Sequence, residues 1–197
     1  MISIKNINYG YNNKPLLRDI SFDIKQGECI GLTGPSGCGK STLARIISGY
    51  IQPWLGSVIL NQEIVTGKPS RNIFLVNQEN DLFPWQNVKD QISFALRGDN
   101  SRNVEDLIKL VKLNGCEKLY PSQLSGGMKR RLSIARALAV NPKLLIFDES
   151  FSFLDTKSKL SLYQDLKEIW IKTKTTIMVI THDSRDLDVL AQREVKL

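Results

Sequence analysis

Gly34-Pro35-Ser36-Gly37-Cys38-Gly39-Lys40-Ser41 fits the pattern G-x-x-x-x-G-K-[ST] and directly follows the run Glu28-Cys29-Ile30-Gly31-Leu32-Thr33. The apolar run reads as a β-strand, and Lys40 to Ser48 reads as a helix, so the glycines occupy a strand-to-helix turn. Glycines there let backbone N–H groups turn inward at a helix N-terminus, where the helix dipole also favours an anion. That context separates a phosphate-binding loop from a chance glycine-rich turn. In such a loop Lys40 can reach the β- and γ-phosphates of a nucleotide, and Ser41 can offer its hydroxyl to Mg²⁺.

Working outward, Leu144-Leu145-Ile146-Phe147 is too apolar for an exposed strand and is expected near the centre of a sheet. Ligands of open α/β sheets sit beyond the carboxyl ends of the strands, where Asp148 and Glu149 fall. Asp148 is placed to hold Mg²⁺ through water, and Glu149 to orient or deprotonate an attacking water. Two acids at a strand end can also cap a helix, although capping explains one acid better than two. His182, the only histidine, ends the run Ile177-Met178-Val179-Ile180, again at a ligand edge, though a lone histidine is often structural. Gln78 follows the strand Ile73-Phe74-Leu75-Val76, where an ordinary strand-end polar residue would also fit. Leu82-Phe83-Pro84-Trp85 sets three large apolar side chains beside a proline; core packing and a partner-docking surface both suit it.

The rest of the chain reads as α/β. Ile2, Ile4 and Ile7, then Ile20, Phe22 and Ile24, alternate as half-buried antiparallel strands do. Val58-Ile59-Leu60 is a further short strand, and the pattern from Val88 to about Gly115 is helical. Gly126 to Val140 is another helix, with Ser125 in Leu124-Ser125-Gly126-Gly127-Met128 as its N-cap and Asn141-Pro142 as its stop. Helix Thr156–Thr173 and strand Thr176–Ile180 complete a βαβ alternation. A nucleotide-binding core over about residues 1–79 and 126–197 is thus expected to be interrupted by a helical insert over about 80–125.

The 197 residues suit one domain, with 42% hydrophobic and 24% charged residues as in an ordinary soluble globule. No signal core is expected at the N-terminus, and no run approaches the roughly 20 apolar residues of a membrane helix. The three cysteines, Cys29, Cys38 and Cys116, are unclustered, so neither a disulfide framework nor a zinc site is expected. The net charge of +7 is spread along the chain and does not call for a nucleic-acid partner.

Read in order, the glycine loop, Leu124-Ser125-Gly126-Gly127-Met128, Leu144–Glu149 and Thr181-His182-Asp183 resemble the ATPase subunit of ATP-binding-cassette (ABC) systems over almost the whole chain. The resemblance implies a RecA-like P-loop NTPase core with an antiparallel β subdomain and a helical subdomain. It implies ATP and Mg²⁺ as cofactors, with Gly34, Pro35, Ser36, Gly37, Cys38, Gly39, Lys40, Ser41 and Thr42 around the phosphates. By the same resemblance Gln78 joins Ser41 and Asp148 at the metal, and His182 contacts the γ-phosphate. Tyr11 matches the aromatic that stacks on adenine, although Tyr9 or plain strand packing remains an alternative. Ser125, Gly126 and Gly127 form the signature motif, which binds the γ-phosphate of ATP held by a second subunit. Met128 stands where glutamine is commonest, and a thioether cannot replace an amide's hydrogen bonds. Ser150, in the segment through Asp155 that crosses the dimer interface, stands where proline is usual.

The partners implied are a second ATPase subunit, as a homodimer, an integral-membrane permease and, through it, a solute-binding protein. The location implied is the cytoplasmic face of the cell membrane, held peripherally. Leu82-Phe83-Pro84-Trp85-Gln86-Asn87-Val88 together with Leu124-Ser125-Gly126-Gly127-Met128 is most similar to the nitrate, sulfonate and taurine importer group, and the permease would dock in the Leu82–Trp85 region. A non-transport ABC ATPase, in cluster assembly or regulation, is the alternative. A DNA-repair relative would carry a long coiled coil between Lys40 and Ser125, and no heptad run is present.

Overall fold

The computed structural model describes residues 1–77, 81–96, 103–149, 156–181 and 184–197, with side chains undescribed at 156–158 and 184–186. Its centre is a five-stranded parallel sheet of order β6-β7-β8-β3-β9, made of β6 (Ile73–Val76), β7 (Leu144–Asp148), β8 (Thr176–Ile180), β3 (Cys29–Thr33) and β9 (Arg193–Lys196). Every residue of β3, β7 and β8 is buried. Strand residues alternate between faces, so Leu145 and Phe147 enter one hydrophobic cluster while Leu144 and Ile146 enter the other.

On one face lies α1 (Lys40–Ile47), together with a four-stranded antiparallel sheet of order β2-β1-β4-β5. Its strands are β1 (Ile2–Tyr11), β2 (Lys14–Ile24), β4 (Leu55–Leu60) and β5 (Glu63–Ile64). The turn between β1 and β2 is Asn12-Asn13, both with positive φ (51° and 59°), which a two-residue hairpin requires and asparagine tolerates. This turn carries Tyr11 at the hairpin tip.

The opposite face is covered by α4 (Gly126–Ala139) and α5 (Thr156–Thr173), with α2 (Val88–Leu96) and α3 (Val104–Leu110) packed against them. α2, α3 and a 3₁₀ turn at Pro121–Gln123 fill the stretch between β6 and α4, where the helical insert is expected. Asn103 caps α3 by accepting from Glu105 N. Lys112 and Arg131 tie this helical group to α5 through Asp165, which is buried: Lys112 Nζ donates to Oδ1 at 2.6 Å, and Arg131 donates from Nε (3.0 Å) and Nη2 (2.6 Å) to Oδ2.

Three short elements lie outside the sequence reading: β5, α6 (Ser184–Leu190) and β9. All are at most seven residues long, too short for a period to declare itself. β9 reads Arg-Glu-Val-Lys on an edge, so it lacks the apolar run that marks β3 and β7.

Candidate functional site

The phosphate loop lies at the carboxyl end of β3, and its shape depends on glycine. Gly34, Gly37 and Gly39 have φ of 151°, 78° and 107°. A Cβ on Gly39 would also stand 2.7 Å from Leu17 Cδ2, so the leucines of β2 would have to give way to a side chain there. Lys40 is buried, and its Nζ donates to Gly34 O (2.9 Å) and Pro35 O (3.0 Å), which holds the ammonium over the loop. An ammonium has three protons, so this arrangement retains one for an anion.

One residue on, Ser41 Oγ donates to Asp148 Oδ1 at 2.9 Å, joining α1 to the end of β7 across the sheet. Asp148 is buried, and burial raises its pKa above the ordinary carboxylate range, opposed by the Ser41 hydrogen bond and reinforced by Glu149. A hydroxyl and a buried carboxylate are oxygen donors of the hard kind that Mg²⁺ prefers. A cavity of about 550 Å³ opens beside the pair, lined by Ser41, Arg45, Tyr50, Leu75, Asn77, Asp81 and Asp148.

Glu149 has φ 44°, a left-handed conformation that an L-residue adopts at a cost of roughly 1–3 kcal/mol. Its N–H donates to Ile180 O at 3.1 Å, which fixes the turn against β8.

Tyr11 is 47% exposed, and its hydroxyl shares a hydrogen bond with Thr42 Oγ1 at 3.3 Å. Tyr9 packs edge-on against Tyr11, with centroids 5.2 Å apart, and also meets Trp54 at 5.9 Å. The hairpin tip thus presents an exposed aromatic beside the phosphate loop, with Tyr9 behind it. Gln78, His182 and the Ser150–Asp155 segment lie outside the described residues.

Ser125 caps α4, its Oγ accepting from Met128 N at 3.2 Å, and Ser125 and Gly126 are exposed. Met128 packs against the hydrophobic cluster, so its side chain serves the helix's inner face. The exposed face therefore consists of a hydroxyl and glycine amides at a helix N-terminus.

Leu82–Trp85 divides between the two readings offered for it. Leu82 packs into the core, whereas Trp85 is 71% exposed. Phe83 lies between, 5.6 Å from Trp85 and 5.5 Å from Phe94. Beside them is a groove of about 420 Å³, whose lining includes Tyr50, Phe74, Phe83, Phe94 and Arg136.

Sequence reasoning missed the residues that hold this loop. Gln91 is fully buried on α2; its Oε1 accepts from Phe83 N, and its Nε2 donates to Phe83 O and Gln86 O. A glutamine on the inner side of an apolar helical pattern was the available signal. Arg130 is 4% exposed on α4 and donates to Asn77 O at 2.9 Å; burial lowers its pKa to about 10, against the pull of Asp81. Arg136 donates to Asp81 O and sets its guanidinium 4.6 Å from the Phe83 ring centroid.

Comparison with known proteins sets this geometry beside characterised ones. The family described as ABC transporter matches residues 17–152. The sulfate/thiosulfate import ATP-binding protein CysA of Mesorhizobium japonicum is 38% identical over 206 residues, covering 98% of this chain and 60% of its own. The aliphatic sulfonates import ATP-binding protein SsuB of Bacillus cereus is 39% identical over 183 residues, covering 91% of this chain and 72% of its own. The chain thus spans about 60% of the length of the sulfate/thiosulfate relative. Among solved structures, a dimeric post-hydrolysis state of the ATP-binding cassette MJ0796, bound to ADP and Pi, superimposes with a TM-score of 0.83 at 27% identity. That match covers 100% of this chain and 94% of the other.

Proposed function

The chain belongs to the ABC transporter family, and on that premise we propose that it binds and hydrolyses ATP to drive a separate membrane permease. The single observation that carries this is the Ser41–Asp148 hydrogen bond at the mouth of the Lys40 loop. It joins a phosphate cradle and a metal-type donor pair in one place.

In this reading the Lys40 ammonium and the amides of Gly37, Gly39 and Lys40 bind the phosphate chain, and Tyr11 supplies the aromatic face for the adenine. Ser41, Asp148 and Gln78 would hold Mg²⁺, which would supply charge neutralisation at the terminal phosphates. A cation held there would offset the burial that raises the Asp148 pKa. Glu149 orients a water for in-line attack on the γ-phosphorus and takes its proton, and His182 contacts the transferring group. The bond between the bridging oxygen and the γ-phosphorus breaks, leaving ADP and phosphate.

The exposed Ser125–Gly127 end of α4 lies on another element from the loop it would complete, which favours two copies arranged head-to-tail. Each site would pair one copy's Lys40 loop with the other's Ser125, as the dimeric cassette neighbour supports. Among the described residues no helix is long and apolar enough to cross a membrane; the permease is proposed as a separate chain. It would dock on the groove lined by Phe83 and Phe94 and on the exposed Trp85 beside it, holding the ATPase at the cytoplasmic face. The sulfate/thiosulfate, aliphatic sulfonate and spermidine/putrescine import relatives support import of a small organic or inorganic solute, delivered by a solute-binding protein.

Glu149→Gln tests this directly. The variant keeps the geometry but lacks a base, so ATP with Mg²⁺ should convert it to a stable dimer in light scattering. A monomer at saturating ATP would sink the closure model. Gentle extraction of that variant from its native cells should bring down a polytopic membrane protein; soluble partners alone would favour a non-transport role.

A further inference from the structure

Helix α4 begins at the exposed Ser125 end and also carries Arg130 and Arg136. Arg130 Nη1 donates to Asn77 O at 2.9 Å, and Arg136 Nη1 donates to Asp81 O. Asn77 Nδ2 in turn donates to Asp81 Oδ2 at 2.8 Å. One helix thus grips Asn77, at the end of β6, and Asp81, at the start of the docking loop, from two points about 9 Å apart along its axis.

The grip lies between the two candidate sites. The cavity beside Ser41 and Asp148 shares Asn77 and Asp81 with a smaller cavity of about 210 Å³. That smaller cavity shares Arg136 and Phe74 with the docking groove. Arg136 also stacks its guanidinium on Phe83, which touches both Trp85 and Phe94.

Packing alone does not account for Arg136. Among the described residues its buried Nε has no hydrogen-bond partner, a cost that a methionine of similar length would avoid. Arg136 thus carries a desolvation penalty, while its other groups reach the Asp81 backbone and the Phe83 ring.

We propose that Arg130 and Arg136 are positioning residues that clamp Asn77 and Asp81 to α4, so that any movement of Ser125 on a nucleotide is passed to Phe83 and Trp85. The proposal rests on the ATP-closure reading above and adds the rigid link by which closure would reach the docking surface. The physical requirement is one stiff element whose position both sites bias, and the proposal assigns that role to α4, which carries Ser125 at its N-cap and both arginines.

The test uses the full chain carrying Glu149→Gln, labelled with 5-fluorotryptophan. Trp54, Trp85 and Trp170 give three fluorine resonances, and Trp85→Phe assigns the one of interest. Adding ATP with Mg²⁺ should displace the Trp85 resonance as the dimer forms. Trp170, whose Nε1 donates to Gly27 O on the other side of the molecule, reports an intact fold. In Arg136→Met the dimer should still form by light scattering while the Trp85 displacement is mostly lost, and Arg130→Met should lose part of it. A full displacement in Arg136→Met overturns the clamp. A parent dimer whose Trp85 resonance stays still overturns it too, leaving the closure reading intact. A parent that never dimerises defeats the closure reading and the clamp with it. Should Arg136→Met disturb Trp170, Arg136→Lys is read instead: it keeps the charge near Phe83 but has no planar fork, so the same two outcomes apply.

Discussion

Replacing Gln91 by leucine should show how much of the docking loop depends on one side chain. Gln91 is fully buried and makes three hydrogen bonds, all to backbone groups of the loop: Phe83 N at 3.1 Å, Phe83 O at 3.1 Å and Gln86 O at 3.0 Å. Leucine has nearly the same volume, so no large cavity forms and packing is conserved. At about 1 kcal/mol net per hydrogen bond, the loss is about 3 kcal/mol. Loop groups left dry would add to that, and the apolar surface gained by leucine would return about 1 kcal/mol. The expected destabilisation is therefore about 2–4 kcal/mol, which for a chain of this size lowers Tm by roughly 4–16 °C. Urea melts of wild type and Gln91→Leu, with m-values compared, measure it. Gln91→Glu should be no better at neutral pH, because an ionised carboxylate would face Phe83 O and Gln86 O with no proton to donate. Digestion should also attack the 82–87 stretch before the rest of the fold. A loss below about 1 kcal/mol with an unchanged m-value would mean that water substitutes freely for Gln91, and the network argument would fail.

Lys40→Ala should abolish ATP binding in calorimetry, since both the ammonium over the loop and its charge are removed; retained affinity would contradict the assigned cradle. Trp85→Ala, at a 71% exposed position, should change stability by no more than about 0.5 kcal/mol while markedly weakening co-purification with the permease; a large stability loss would make it a core residue. Glu28→Gln reports on the bottom of the sheet. Burial alone would raise the Glu28 pKa, but hydrogen bonds from Arg193 and Lys25 N–H bring it below the ordinary 4.5. A lowered folded pKa stabilises above the unfolded value and loses that contribution as pH falls through the folded one. Wild type should thus be the more stable by about 0.5–1 kcal/mol at pH 7 and lose its lead in acid below 4.5; a constant difference across that window would contradict the pairing.

The parts of the site legible in the sequence share one property: their chemistry is local. The glycine loop declares itself because glycine, lysine and serine sit together at a strand-to-helix turn, and Asp148 and Glu149 because they end an apolar run. The buried strands β3, β7 and β8 were equally legible, since burial on both faces produces unbroken apolar runs. β5, α6 and β9 were not, being short and, in β9, edge-exposed and charged. The β1–β2 turn could have been read: Asn12-Asn13 between alternating strands is a hairpin signal, and it positions Tyr11.

Gln91, Arg130 and Arg136 escaped for a different reason. Each is a polar residue whose partners are backbone atoms on another element: Phe83 and Gln86 for Gln91, Asn77 for Arg130, Asp81 for Arg136. Backbone acceptors have no residue identity, so no spacing or pairing in the sequence can announce them. What the sequence does show is Lys129-Arg130-Arg131, a run that looks like one solvated patch. The structure separates it: Arg130 turns inward to Asn77, while Arg131 goes to Asp165 on α5. At 100° per residue, neighbours on a helix must point to different surroundings, so one basic run can serve two joints. One of those joints faces the nucleotide side, and the other holds α4 against α5. A helix fixed at both would move as a body, which is what transmission from Ser125 to the docking aromatics requires.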